Sequence, residues 1–443
     1  MRTARTSKMR FATGLIVAAA ALIGCESTSQ TLQNAPDPST NSARMPGQGV
    51  RPPSLGPLGS FETSGHQKLD AWRYEFAARA YREGYSIEII RSVLSNIEPM
   101  SIFLEQSSEA VDQAEFSKPI WEYIDDTVSR TRVATGRELL SEDYELFSAL
   151  EQNYGVQKHY IAAIWGMETS YGQVIGNFDA PSALASMAAE GRRRGFAENE
   201  LLALMEILER GDARRHELIA GWAGAMGQTQ FMPTTYVQYA VDWTGDGTKD
   251  VWRARGDALA SAANYLQASG WRAGEPALVE VQLPKPFNYS YANGQRRPTS
   301  LWATLGLTPL SSVSLDPAGV GLAELWLPAG SNGPAFLLYP NFDVIKTYNR
   351  ADSYALAVSL IAEGIQGRAT PAGSWPRDID RLNIEEIKRL QDGLNRLGFS
   401  AGTVDGIAGR GTRRALQSFQ ISAGMLADGF PTRRALAAVE AAY

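Results

Sequence analysis

Glu168 is the residue around which chemistry could be organised. It sits in IAAIWGMETSYG (161–172), where Ile161, Ile164 and Trp165 fall on one apolar stripe of a helix and Glu168 falls on the same stripe. An ionised carboxylate held in such a place without a cation is costly. Burial beside Trp165 and Met167 would raise its pKa towards neutrality, which suits a proton donor at physiological pH. Taken alone, the position is better read as a surface carboxylate one residue off the stripe, and it is the neighbours that change this. Thr169, Ser170, Tyr171 and Gly172 then end the helix in polar groups and a glycine, as the wall of a cleft would.

Downstream lies GWAGAMGQTQFMPTTYVQYAVDWTGDGTKDVW (221–252). Its glycines permit close backbone approach, for tight packing by default or for a saccharide lying against the chain. Gln228 and Gln230 offer amides beside Phe231, and amides with aromatic faces are what a neutral N-acetylated sugar requires. Within the same stretch, Asp242, Thr244, Asp246 and Thr248 stand at alternate positions with Gly247 at the sixth, like the start of an EF-hand loop. Arg253 occupies the twelfth position, where a bidentate Glu is expected; some similar loops are longer and closed by a later aspartate, and that likeness makes Asp257, with one extra residue before it, the candidate closing ligand. A structural calcium ion and an Asx-rich turn that binds nothing are both open readings. His159 reads as a surface or helix-packing residue, and Arg192, Arg193 and Arg194 as a solvated loop that could meet the carboxylates of a peptide.

These residues need a scaffold, and the chain has enough length for one. Its 443 residues are 44% hydrophobic, enough for a full core in two or three domains. The net charge of −6, with no basic run long enough to track a phosphate backbone, excludes nucleic acid as a natural partner. From Gln67 to about Gly274 the periodicity is helical. Between Ala277 and Ile345, short β-rich runs alternate with Pro, Gly and Asn clusters, which reads as a small sheet inserted in a helical domain (66–367), with SYALAVSLIAEGI as its closing helix. Residues 368–383, with Pro371, Gly373 and Pro376, read as a linker. In 384–443, VDGIAGRGTRRALQSF is partly repeated by ADGFPTRRALAAV. Each copy predicts an Asp-Gly turn, a Thr N-cap and an amphipathic helix, giving a three-helix unit. The fold class is mainly α, with an α+β insertion.

The N-terminus carries four basic residues up to Arg10 and then an uncharged run from Phe11 to Gly24, which reads as a secretory signal too short to span a membrane. The single cysteine, Cys25, closes it in LIGC, so disulfides within the chain are excluded. That context resembles a bacterial lipobox, in which the cysteine of a 1–25 signal is lipidated. Glu26 in place of an Asp directs the anchor to the outer membrane, facing the periplasm. Residues 26–65, rich in Ser, Thr, Pro, Gly and Gln, read as a flexible tether.

From Leu69 to Gly364 the chain resembles the lytic murein transglycosylases of the membrane-bound B type. The likeness rests on METSYG, GWAGAMGQTQFMPT, VDWTGDGTKDVW, DALASAANYL and YPNFDVIKTYNRADSYALAV. Residues 384–439 closely resemble the type-1 peptidoglycan-binding domain. The resemblance implies a lysozyme-like catalytic domain in which Glu168 is the sole acid/base and Gln230, Tyr265, Tyr348, Asn349 and Tyr354 bind substrate. It implies cleavage of the β-1,4 bond between N-acetylmuramic acid and N-acetylglucosamine in peptidoglycan glycan strands, with formation of a 1,6-anhydro ring. No cofactor would be required for that chemistry, and the protein would act as a monomer. A muramidase using water, and a non-catalytic wall-binding lipoprotein, are the alternatives.

Overall fold

The computed structural model describes residues 58–104, 118–311, 313–315, 321–368, 371–378 and 382–443. The signal segment, Cys25 and most of the tether lie outside the described residues. The chain is helix-rich with small sheets. No helix among the described residues is long and apolar enough to cross a membrane.

Two helical cores lie in the larger domain. One gathers around the helices Gln67–Arg82, Ala180–Glu190 and Arg194–Arg210. The other gathers around Lys158–Thr169 and Asp352–Ile365, which pack against each other. Lys158–Thr169 buries ten of its twelve residues, so the single apolar stripe expected from its sequence is instead a helix apolar nearly all round, the pattern of a central element. Glu168 is its half-buried exception in the last turn, with only Thr169 after it.

The inserted sheet is antiparallel throughout, with strand order β4(Arg296–Pro298), β6(Leu322–Trp326), β7(Ala335–Leu338), β3(Leu278–Gln282), β5(Thr308–Pro309). One face carries a core of its own around Trp302, Leu325 and Leu337, and Phe336 and Leu338 of β7 join the second helical core. A two-stranded ladder, β1(Phe178–Asp179) with β2(Ile219–Ala220), ties the start of one helix to the glycine-rich segment.

Two connecting segments are more ordered than their composition suggests. The last residues of the expected tether are packed, with Leu58 and Phe61 buried and Arg91 donating to the Leu58 carbonyl at 2.7 Å. The folded domain therefore begins ahead of residue 66. In the linker, the amides of Ala372 and Gly373 donate to the Glu280 carboxylate at 2.7 and 2.8 Å, Trp375 is buried, and Arg377 pairs with Asp125. Glycine and proline mark where regular structure stops, but not whether the segment lies against something.

The C-terminal module is three helices, Ile384–Arg396, Arg410–Ser422 and Arg433–Glu440, around Leu390, Leu394, Leu416, Leu436 and Val439. Thr432 caps the third, its side chain accepting from the Ala435 amide. Thr412, expected as the equivalent cap, lies inside the second helix, whose N-cap is Gly409. Its hydroxyl is buried and accepts from the Gln391 amide at 3.1 Å. The first copy of the repeat therefore starts its helix earlier and uses the threonine to join two helices.

Candidate active site

The turn after Glu168 holds two of the positive-φ non-glycine residues found among the described residues. Ser170, Tyr171 and Gly172 are consecutive left-handed residues, with φ of 49°, 64° and 79°. Non-glycine residues reach this region at a cost and persist there when their surroundings over-determine them. Those surroundings are identifiable. The Tyr171 hydroxyl donates to the Arg132 carbonyl at 2.6 Å, and its ring stands edge-on to Trp165 with centroids 5.4 Å apart. The ring lies against Gly136 and Gly166, where an added Cβ would fall 2.3 and 2.4 Å from its atoms. Thr169 then joins the turn to the next motif, its hydroxyl donating to the Gln228 carbonyl at 2.6 Å and accepting from the Gly172 amide at 3.0 Å.

Gln230 is also left-handed, with φ of 50°. Its amide group donates to the carbonyls of Gly227 and Ile175 at 2.9 and 3.3 Å, and the Gln228 amide donates to the Trp252 carbonyl at 3.3 Å. Gln230, expected to offer its amide to a sugar, thus uses both amide hydrogens to lock this loop, and Gln228 uses one. The glycine-rich run serves packing: at Gly227, with φ of 69°, a Cβ would meet the Val251 carbonyl oxygen at 2.6 Å.

Across from this turn stand the tyrosines. Tyr354, in the first turn of Asp352–Ile365, donates its hydroxyl to Glu168 Oε1. Burial, and then the charge of Glu168, push the Tyr354 and Tyr348 phenols well above their ordinary range. Both therefore remain protonated donors at any physiological pH. The Tyr348 hydroxyl is buried with no hydrogen-bond partner among the described residues, an unmet donor that calls for an explanation. Its ring lies 5.2 Å from that of Tyr265, and Phe231 stands 5.7 and 6.1 Å from Tyr265 and Tyr348. Tyr265 also donates to the Thr347 carbonyl at 3.0 Å. Asn349 is buried and accepts from the Ala351 amide at 2.9 Å, so it shapes the entry to the Tyr354 helix.

The structure therefore joins Glu168, Tyr354, Tyr348 and Tyr265 in one connected set, with Gln230 beside it through Phe231. Tyr239 belongs to the same aromatic cluster, 4.7 Å from Tyr265, and was not singled out from the sequence. Its place in TTYVQYA, a helical turn after Tyr236, was the available signal.

In the acidic loop, ligand oxygens of Asp242, Asp246 and Asp257 lie within 4.8 Å of one another. Asp242 accepts from the amides of Gly245, Asp246 and Gly247, and these hold its carboxyl below the ordinary range. Asp257 is buried and accepts from the amides of Trp243, Thr244 and Asp250 at 2.9–3.0 Å. The hydroxyls of Thr244 and Thr248 donate to Asp242 and Asp246. Arg253 pairs with Asp250 and Glu217.

His159 is buried against Tyr160 and Gln366, a helix-packing residue. Of the arginine run, Arg192 pairs with Glu190, and Arg194 with Glu75 and Glu198, so these charges are met within the chain.

Comparison with known proteins agrees with this geometry. The family profile of the transglycosylase SLT domain matches residues 68–363, and that of the putative peptidoglycan binding domain matches residues 383–439. The chain belongs to the transglycosylase SLT family. Among curated proteins, membrane-bound lytic murein transglycosylase B of Escherichia coli (strain K12) is 35% identical over 48% of this chain and 58% of its own length. The match thus spans little more than half of that relative. Among solved structures, SltB3 from Pseudomonas aeruginosa in complex with NAG-anhNAM-pentapeptide is 40% identical, with a TM-score of 0.76 over 84% of this chain and all of that one. Escherichia coli Slt35 in complex with calcium is 26% identical, with a TM-score of 0.56 over 72% and 98% of the two chains. The lysozyme-like fold of the catalytic domain and the separate C-terminal wall-binding type of domain are those expected from the sequence.

Proposed function

We propose that this protein is a lytic transglycosylase of peptidoglycan, cleaving the β-1,4 bond between N-acetylmuramic acid and N-acetylglucosamine with formation of 1,6-anhydromuramic acid. The observation that carries the reading is Glu168, half-buried at the end of the central helix and held by the Tyr354 hydroxyl. Glu168 gives its proton to the glycosidic oxygen as the bond to the anomeric carbon breaks, and the N-acetyl carbonyl of the muramic acid supports that carbon. The resulting carboxylate then takes the proton of the same sugar's O6, which closes on the anomeric carbon. One group serves as acid and then as base, and no water or cofactor enters the chemistry.

Tyr354, fixed as a donor, orients the carboxyl through both steps. Gln230, Tyr265, Tyr348 and Asn349 bind the glycan: Gln230 through its side-chain oxygen, since its hydrogens serve the loop, Tyr265 and Tyr348 with ring faces, and the Tyr348 hydroxyl with its unmet hydrogen bond. That the relative SltB3 was solved with an anhydromuramoyl ligand supports the product assigned here. Digestion of purified sacculi with mass analysis of the fragments tests it: products lacking one water relative to reducing muropeptides are expected, and reducing ends alone would make the enzyme a muramidase.

The acidic loop is suited to a structural calcium ion, for which Asp242, Asp246 and Asp257 supply clustered hard oxygens and Thr244 and Thr248 complete the loop. Added calcium should raise the melting temperature by a few degrees, an increment that Asp246→Ala erases. A melting temperature indifferent to calcium and to chelator removes the ion. The protein is a monomer exported to the periplasm and lipid-anchored at Cys25 to the outer membrane; of this, the membrane-bound relative supports the membrane association alone. Cys25→Ser should release it into the soluble fraction, and retention in the membrane fraction would refute the anchor.

A further inference from the structure

The C-terminal module is not suspended from its linker but docked on the catalytic domain by partly buried polar contacts. Gln417 donates to the carbonyls of Tyr289 and Ala292 at 2.9 and 3.1 Å. Asp428 accepts from the Ser331 amide at 3.0 Å, and Phe430 is buried in the core cluster that contains Tyr354. At the centre is Arg410, the first residue of the module's second helix. It donates to Asp352 Oδ2 at 2.9 Å and to Glu324 Oε2 at 3.2 Å, and lies 5.7 Å from the centre of the Phe342 ring.

Asp352 is the first residue of the helix Asp352–Ile365, and Tyr354 follows two residues later in the same turn. The first turn of a helix has orphan amides and frays unless a side chain caps it. Here the N-cap is Ala351, which has no capping side chain. The turn is restrained instead by Asp352, one oxygen of which accepts from Lys346 Nζ at 2.6 Å while the other accepts from Arg410. Burial pushes the Asp352 carboxyl up, but the charges of Arg410 and Lys346 more than offset this and hold it below the ordinary range.

We propose that Arg410 is a positioning residue for the catalytic acid: by gripping Asp352, the docked wall-binding module fixes the turn that aims the Tyr354 hydroxyl at Glu168. The module then completes the active site besides attaching the enzyme to its polymer. This rests on the reading of Glu168 as the acid. The coupling runs through contiguous contacts, from Arg410 to Asp352, along one helical turn to Tyr354, and from Tyr354 to Glu168. Removing Arg410 leaves the half-buried Asp352 carboxylate hydrogen-bonded to Lys346 but not to the module, which loosens that turn while every group that touches substrate stays present.

The test uses the full chain on soluble glycan–peptide fragments, on which attachment to the insoluble wall gives no advantage. Arg410→Gln should lower kcat roughly tenfold, with KM and co-sedimentation with sacculi unchanged, and Arg410→Lys should recover much of the loss. Arg396→Gln, at an exposed pair with Asp392 elsewhere on the module, should behave as wild type. Asp352→Asn should reproduce the kcat defect, and the double variant Arg410→Gln/Asp352→Asn should be no worse than the poorer single one. If Arg410→Gln does not fold, the Asp352→Asn and Arg410→Lys variants still give the kcat readout. Wild-type kcat in Arg410→Gln, or a loss confined to KM or sacculus binding, overturns the proposal. Retained activity in Glu168→Gln would instead overturn the assignment of the acid, so the two failures are distinguishable.

Discussion

The central helix Lys158–Thr169 carries a titratable group near each end, and the two have opposite fates. His159 and Glu168 both meet the neighbouring helix Asp352–Ile365, which runs antiparallel, so that His159 faces Gln366 just past its end and Glu168 faces Tyr354 in its first turn. His159 is buried, with Arg368 and Lys158 nearby. Burial first and these cations second depress its pKa to about 3. It is a neutral packing piece. Glu168 is half-buried, accepts from the Tyr354 hydroxyl, and lies near the Tyr348 hydroxyl, which has no partner among the described residues. The pair shows that an ionisable side chain on a buried helix is not evidence of catalysis by itself. What separates the two is whether the surrounding groups leave hydrogen-bonding capacity for a ligand.

The comparison breaks first, if it breaks, at Glu168. Glu168→Gln keeps the shape and removes the proton, and sacculus cleavage should fall at least ~10²–10⁴-fold, the usual cost of losing a general acid. His159→Gln should stay near wild type in the same assay. Comparable losses in both variants would mean that activity reports the integrity of the helix and not the chemistry of one end. A smaller effect is expected at the partner. Tyr354→Phe deletes the hydroxyl that holds the Glu168 carboxyl, so kcat should drop roughly 10–100-fold. An unaltered kcat would show that Glu168 needs no orienting donor.

Legibility in the sequence followed the range of the interactions involved. Glu168 and the acidic loop were visible through periodicity and spacing, because these select residue types and residue type is what chemistry requires, whereas the tyrosines were visible only through the family resemblance. The helical domain, the inserted sheet and the three-helix module were visible through local periodicity. What escaped depended on contacts distant in sequence. Leu58 and Phe61 looked like tether because their neighbours are Pro, Gly and Ser, yet they pack on helices that begin at residues 67 and 87. Thr412 had the spacing of an N-cap, but a buried glutamine from another helix claims its hydroxyl. Gln228 and Gln230 had the right groups for a sugar, and the loop's own carbonyls take amide hydrogens from both. The docking of the module through Arg410 had no local signal at all.

The smallest expected effect concerns His159 and reads the same comparison through stability. Its folded-state pKa of about 3 lies below the ordinary 6.5, so the unfolded chain takes up a proton that the folded chain refuses. The stability this group contributes is complete above pH 6.5 and is lost as the pH falls from 6.5 towards 3. At about 1.4 kcal/mol per pH unit, roughly 2 kcal/mol should be gone by pH 5. His159→Gln preserves an amide-sized polar group opposite Gln366 and does not titrate. Carboxylates held low by cations, such as Asp352, begin to lose their contribution only at more acidic pH and do so equally in both proteins. Urea unfolding of wild type and His159→Gln at pH 7.5 and at pH 5 should therefore show the wild-type advantage shrinking by about 2 kcal/mol. A constant difference between the two proteins over that range would mean that His159 accepts a proton in the folded state. The two ends of the helix would then differ less than their surroundings indicate.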